Sequence, residues 1–194
     1  RLKVLAMRVS AQVKQIDLTA AIADGREALH LASELGDDRM TAAVLMPLAI
    51  ALSTYDQGAE ANALLDAHWP AVERLDDPEP TNFIEHGVVL DNLGRPLEAR
   101  ASHRRGIELA LLHKQHSEFV MGSKNLAVNH IDTGELQAAM ALLDAAERER
   151  RAHDALQGIK RQQTDPARWN GVGWLGFVAA LQAGGVEMVE GVVA

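Results

Sequence analysis

Apolar residues along this chain fall on helical stripes with a period of about 3.6 residues, broken at near-regular intervals by glycine or proline. Ser117 to Thr133 predicts one helix, capped by Ser117, with Val120, Leu126, Ala127 and Ile131 on its apolar stripe. Thr133-Gly134 ends it, because glycine accepts the left-handed turn past a helix terminus. A second helix from Glu135 to about His153 carries Ala139, Leu143 and Ala146 on one face. The short link requires the pair to pack antiparallel as a hairpin.

The preceding stretch has the same grammar. A helix from Pro80 to Leu93 turns Phe83, Gly87 and Leu90 toward its partner, and Gly94-Arg95-Pro96 breaks it. Pro96 suits the first position of the next helix, where a missing N–H costs nothing. That helix puts Ala99, His103 and Gly106 in the slots of Ala139, Leu143 and Ala146. An earlier hairpin spans Asp38 to about Leu75, with Leu45, Leu48, Ala49 and Leu52, then Ala61 and Leu65. Pro47 and Pro70 are expected to kink or shorten its helices. Upstream, a half-degenerate unit containing Ala21 and Ala28 ends at Gly36, and an Asp caps the next helix.

Ala21, Ala61, Ala99 and Ala139 lie 40, 38 and 40 residues apart. A fixed period of that size marks stacked supersecondary units, and a recurring small residue marks a close helix crossing. Small residues pair across units in the same way: Gly87 with Ala127, and Gly106 with Ala146. The predicted fold is an all-α right-handed solenoid of four or five antiparallel hairpins. The repeat array is expected over 1–156, with an irregular linker and a capping helix or partial fifth repeat over 157–194. In that segment Thr164-Asp165-Pro166 reads as a helix start, and Trp174, Phe177, Val178 and Leu181 precede Gly184-Gly185. The apolar end, Val186 to Ala194, is expected to dock as a terminal cap, the alternative being an edge that pairs with another chain.

Composition narrows the function. Hydrophobic residues make up 47% but aromatics only 4%, so Ala and Leu, both good helix formers, must build the core. A net charge of −8 argues against direct nucleic-acid contact, which needs Lys/Arg patches that release counterions. No apolar run is long enough to span a membrane, and the lack of cysteine excludes disulfides and thiol chemistry. The chain opens Arg-Leu-Lys-Val without Met or a signal-peptide pattern, so a cytoplasmic piece of a longer protein is expected.

The succession Phe83-x-x-His86-Gly87-x-x-Leu90, Gly94, Ala99, Gly106 returns as Ser123-x-x-Leu126-Ala127-x-x-His130, Gly134, Ala139, Ala146. It resembles the tetratricopeptide repeat over about residues 18–156. The unit is about one helical turn longer than is usual there. That longer form, with Leu-Gly-Asp-Asp between units, is similar to arrays in large bacterial signal-transducing ATPase regulators and transcriptional activators. The resemblance implies a non-enzymatic protein-interaction or sensor module in a larger regulatory protein. The partner would be another protein or another domain of the same chain, with self-association possible through the solenoid ends. The alternative is a small-ligand sensor, for a metabolite or peptide, using the concave face or the junction near Trp169 and Trp174.

By the same resemblance, the first helix of each hairpin lines a concave face. That places Ala43, Met46, Ile50 and Ser53, then Ile84, Glu85, Val88 and Asn92, then Met121, Lys124, Asn125 and Val128 on the groove. Lys124 supplies charge and Asn125 supplies donor and acceptor, a pairing suited to a peptide carboxylate. No cofactor or metal is expected: His113 and His116 straddle a turn, without carboxylates at zinc-ligand spacing. His86 and His103 fall in core slots. Glu147 to Arg151 reads as a solvated charge run, and Arg100, Arg104 and Arg105 as a candidate basic ridge. No nucleophile triad, phosphate loop or carboxylate pair occurs in a supporting context; Gly171-x-Gly173-x-x-Gly176 lacks the preceding strand that a dinucleotide loop needs.

Overall fold

The computed structural model describes residues 1–163, and every regular element among them is an α-helix. In order these are α1 (Leu2–Lys14), α2 (Leu18–Leu35), α3 (Asp38–Thr54), α4 (Gly58–Glu73), α5 (Pro80–Asn92), α6 (Pro96–Leu112), α7 (His116–Asp132) and α8 (Leu136–Gln163). Neighbouring helices pack in sequence order as antiparallel hairpins, and the first helices α1, α3, α5 and α7 also lie side by side. The fold is an all-α stack of hairpins. Two compact units divide the chain: Arg1–Ala146, which holds the repeats, and a second that starts at Glu147.

One backbone turn makes almost every connection. Ile16, Gly36, Asp56, Gly94, Lys114 and Gly134 each take a left-handed φ between 56° and 80°. The residue after each returns its N–H to a carbonyl five positions back: Asp17 to Gln12, Asp37 to Ala32, Gln57 to Leu52, Arg95 to Leu90, Gln115 to Ala110 and Glu135 to His130. This is the Schellman closure, which satisfies carbonyls that a helix end leaves bare. The turn residues inside the four hairpins, Ile16, Asp56, Gly94 and Gly134, repeat the 40, 38, 40 spacing of the alanines.

The connection from α4 to α5 breaks this rule. Residues 74–79 carry no left-handed residue, and α5 has 13 residues where α3 and α7 have 17. Pro78 and Pro80 explain it, since proline and the residue before it resist the helix interior. The first turn of α5 is thus missing, and Glu79 enters the helix from an extended backbone.

Ala21, Ala61, Ala99 and Ala139 are each the fourth residue of a second helix, and each bonds its N–H to the carbonyl just before that helix. All four are buried, as are Ala127 and Ala146. Gly87 lies directly beneath the His103 ring, where a Cβ would clash outright. A Cβ on Gly106 would fall 2.5 Å from the Ile84 side chain and 3.1 Å from the Pro80 carbonyl. These residues let the paired helices approach closely.

Several local expectations are corrected. The N-terminal stretch is a full hairpin, α1 with α2, with Asp17 capping α2. Pro47 sits inside α3 without ending it, and α4 continues to Glu73 beyond Pro70. Helix α7 begins at His116 rather than after a Ser117 cap, because the Lys114 turn delivers the chain into it. Ile131 is 47% exposed and Leu143 41% exposed, since α7 and α8 form the last hairpin of their unit and no further helix of it covers them. Helix α8 runs on to Gln163, ten residues beyond the expected end. In its second half Arg150 and Arg151 pair with Glu147, and Arg150 with Asp154, which keeps that charge run solvated. The readings placed on 164–194 lie outside the described residues.

Replacing Ala99 with Leu should overpack the α5–α6 crossing and cost about 1–3 kcal/mol by denaturant unfolding. An unchanged midpoint would remove this residue from the close contact.

Candidate functional site

The residues expected on the ligand face differ in exposure: Ala43 on α3 and Asn92 on α5 are exposed, while others of both helices are covered. Helix α3 is apolar nearly all round and packs against α1, α2, α4 and α5, so Met46 is fully buried and cannot line a groove. Ile84 is buried as well, held against Gly106 and Gly122. Ile50 and Val88 are half-buried, while Asn92 donates from its amide to Ser53 Oγ at 3.2 Å, joining α5 to α3 on this face. On α7, Met121, Lys124, Asn125 and Val128 follow helical spacing, so they share one side. Met121 is 37% and Val128 54% exposed; Lys124 is exposed and Asn125 half-buried.

Glu85 is the unusual group here. It is half-buried on α5, and loss of hydration raises its carboxyl to about 7, with the Lys14 ammonium drawing it partly back. A carboxyl that titrates near neutrality gives this face a charge that varies with pH.

A second feature was not visible in the sequence. His103, fully buried on α6, hydrogen-bonds through Nε2 to Asp91 Oδ2 at 3.1 Å. Burial lowers its pKa, against a raising pull from Asp91, so the ring is neutral and donates its Nε2–H. Asp91 Oδ1 accepts the Asn129 amide at 2.8 Å, and that amide also donates to the Pro96 carbonyl at 2.9 Å. The Asn129 carbonyl accepts Arg100 Nε at 3.1 Å, and Arg100 pairs with Glu135 at 2.7 Å. Glu135 then meets His130 Nδ1 at 3.0 Å. The Arg100 guanidinium, helped by His130, holds the Glu135 carboxyl below its usual range.

This relay stitches α5, α6, α7 and the turn before α8 with charge-assisted bonds. It also corrects the basic ridge: Arg100 turns inward, and Arg105 pairs with Glu108 at 3.1 Å. The spacing of Asp91, Arg100, Asn129 and Glu135 gave no signal, because they meet only when two hairpins dock.

The remaining candidates are dispersed. His113 caps the end of α6 and pairs with Asp77 at 3.2 Å. Among the described residues, no three His, Cys, Asp or Glu side chains converge as metal ligands, and no helix is long and apolar enough to cross a membrane. No protein-family model matches this chain, and no curated protein matches it either.

Two outcomes follow. The stability tied to a protonated Glu85 is fully present below the ordinary carboxylate value of 4.5 and is lost as pH rises through about 7. Glu85→Gln should therefore gain on the wild type as pH rises from about 5 to about 8, by no more than about 3 kcal/mol. A pH-independent difference in unfolding free energy would contradict the burial. Asn129→Leu should cost about 1–3 kcal/mol in denaturant, since it strands the Asp91 oxygen, the Pro96 carbonyl and Arg100 Nε.

Proposed function

We propose that this chain is a non-enzymatic protein-interaction module of a larger regulatory protein, holding its partner on the first-helix face of α5 and α7. One observation carries the reading. Met121 and Val128 stay in water on the same side of α7 as Lys124 and Asn125. Exposed apolar anchors flanking an ammonium and an amide match what a peptide segment needs: burial for its side chains, and charge plus hydrogen bonds for its backbone or carboxylate. The half-buried Val88 extends the apolar part onto α5, and Asn92 its polar edge. The tetratricopeptide-like repeat grammar supports the same use, because such arrays present partners to the first helices of their hairpins. The transcriptional setting rests on that resemblance.

The test is selection of free-carboxylate peptides from a displayed library on the whole chain, followed by titration of the selected peptides. Lys124→Ala should weaken them at least several-fold with an unchanged circular dichroism spectrum, and amidating the peptide terminus should do the same. Equal binding by Lys124→Ala and by Val128→Asp would take this face out of the reading.

A further inference from the structure

The junctions between successive hairpins repeat in register, and one of them departs from the pattern. The twelfth residues of α2, α4 and α6 are Leu29, Trp69 and Ile107. The residues before the crossing positions Ala49, Gly87 and Ala127 are Leu48, His86 and Leu126. The seventh residues of α4, α6 and α8 are Leu64, Ser102 and Leu142. The first junction thus has three leucines and the third has Ile-Leu-Leu, whereas the middle one has Trp69, His86 and Ser102. Polar groups stand there in positions that elsewhere need only apolar side chains.

The three residues form a built constellation. The Trp69 and His86 rings stack at 3.7 Å and 17°, and Phe83 meets Trp69 edge-on at 5.2 Å. Ser102 donates its hydroxyl hydrogen to the Phe83 carbonyl at 2.9 Å, so the 2.9 Å contact between Ser102 Oγ and His86 Nδ1 requires the ring to donate. The lone pair therefore sits on Nε2, which has no hydrogen-bond partner among the described residues. Burial, aided by the Arg95 charge, pushes His86 down to about 4, so the imidazole stays a neutral acceptor near pH 7.

These groups line a cleft of about 500 Å³ between α4, α5 and α6, together with the apolar Leu65 and Leu90. It lies beside the α4–α5 connection that lacks the tight turn, where those two helices make little direct contact. The polar rim leans toward acceptors. Asp66, Glu73 and Glu98 line the cleft, against Arg95 and Arg105. Arg95 is held by both Glu98 oxygens at 2.8 and 2.7 Å, and Arg105 by Glu108 at 3.1 Å. Asp66 makes no hydrogen bond among the described residues, while Glu73 accepts only the Trp69 indole N–H, at 3.0 Å.

We propose that this cleft binds a cationic N–H donor on an apolar stem, an ammonium or guanidinium, seated on Trp69, His86 and Ser102. The stem lies against Leu65, Leu90 and Phe83, the donor reaches His86 Nε2, and Asp66 and Glu73 balance the charge. A basic side chain of a partner protein and a free small amine present the same chemistry. The cleft is separate from the α5–α7 face, so the two readings fail independently.

The experiment titrates the full chain near neutral pH with n-butylguanidinium, n-butylammonium and an acetylated, amidated pentapeptide with a central arginine, following amide and indole N–H shifts by NMR. Saturable shifts confined to α4, α5 and α6, including the Trp69 indole, are expected. His86→Leu, which restores the residue type of the flanking junctions and should fold, is expected to weaken binding at least tenfold. Lys124→Ala should leave it unchanged. Peptide binding far tighter than the free cations assigns the source to a protein partner, and equal binding assigns it to a small amine. No saturable shift with any probe, or equal binding by His86→Leu, overturns the proposal.

Discussion

The architecture depends on one backbone device, a left-handed residue after six of the helices that lets the next N–H reach back to the last turn. Six repetitions set the distance from one helix start to the next, and therefore bring equivalent residues back to equivalent contacts. Glycine takes this conformation without penalty at three of the turns. Ile16, Asp56 and Lys114 adopt it as well, so the closure bonds and the docking of the helices outweigh the cost there. Where prolines prevent the device, between α4 and α5, a helical turn is lost and the neighbouring helices separate.

Within that spacing, close approach is set by what side chains leave out. The four periodic alanines are buried, and at Gly87 and Gly106 the missing Cβ leaves room for His103 and Ile84 of the partner helix. His103 over Gly87 illustrates the exchange: the missing Cβ makes room for an imidazole, which in turn anchors Asp91 and the relay through Asn129 to Glu135. The Arg26–Glu60 ion pair also joins helices of different hairpins, but it is exposed, whereas the part-buried relay fixes how its two hairpins dock through directional bonds.

The middle junction combines both departures from the repeat. It has the irregular connection, and it carries aromatic and polar residues where its neighbours carry aliphatic ones. There the imidazole and the hydroxyl bond one another, the hydroxyl donates to the Phe83 carbonyl, and Trp69 stacks on the imidazole, so local polar contacts replace the aliphatic packing of the junctions on either side.

The hairpins, most helix limits and the crossing alanines were legible in the sequence, because apolar periodicity, glycine stops and a constant repeat length are local or nearly local signals. Helix α1 and the turns at Ile16, Asp56 and Lys114 were less so, since Ile and Lys rarely adopt a left-handed backbone and Asp does so far less often than Gly. The burial of Met46 and Ile84, the exposure of Ile131, the inward turn of Arg100 and the Trp69–His86–Ser102 cleft were settled only by docking. Each depends on which helix lies opposite, and residues some 16 to 40 positions apart become neighbours only after hairpins stack. The sequence by itself determined the period and the kind of element; the tertiary packing decided which polar groups face one another and which surface stays open to a partner.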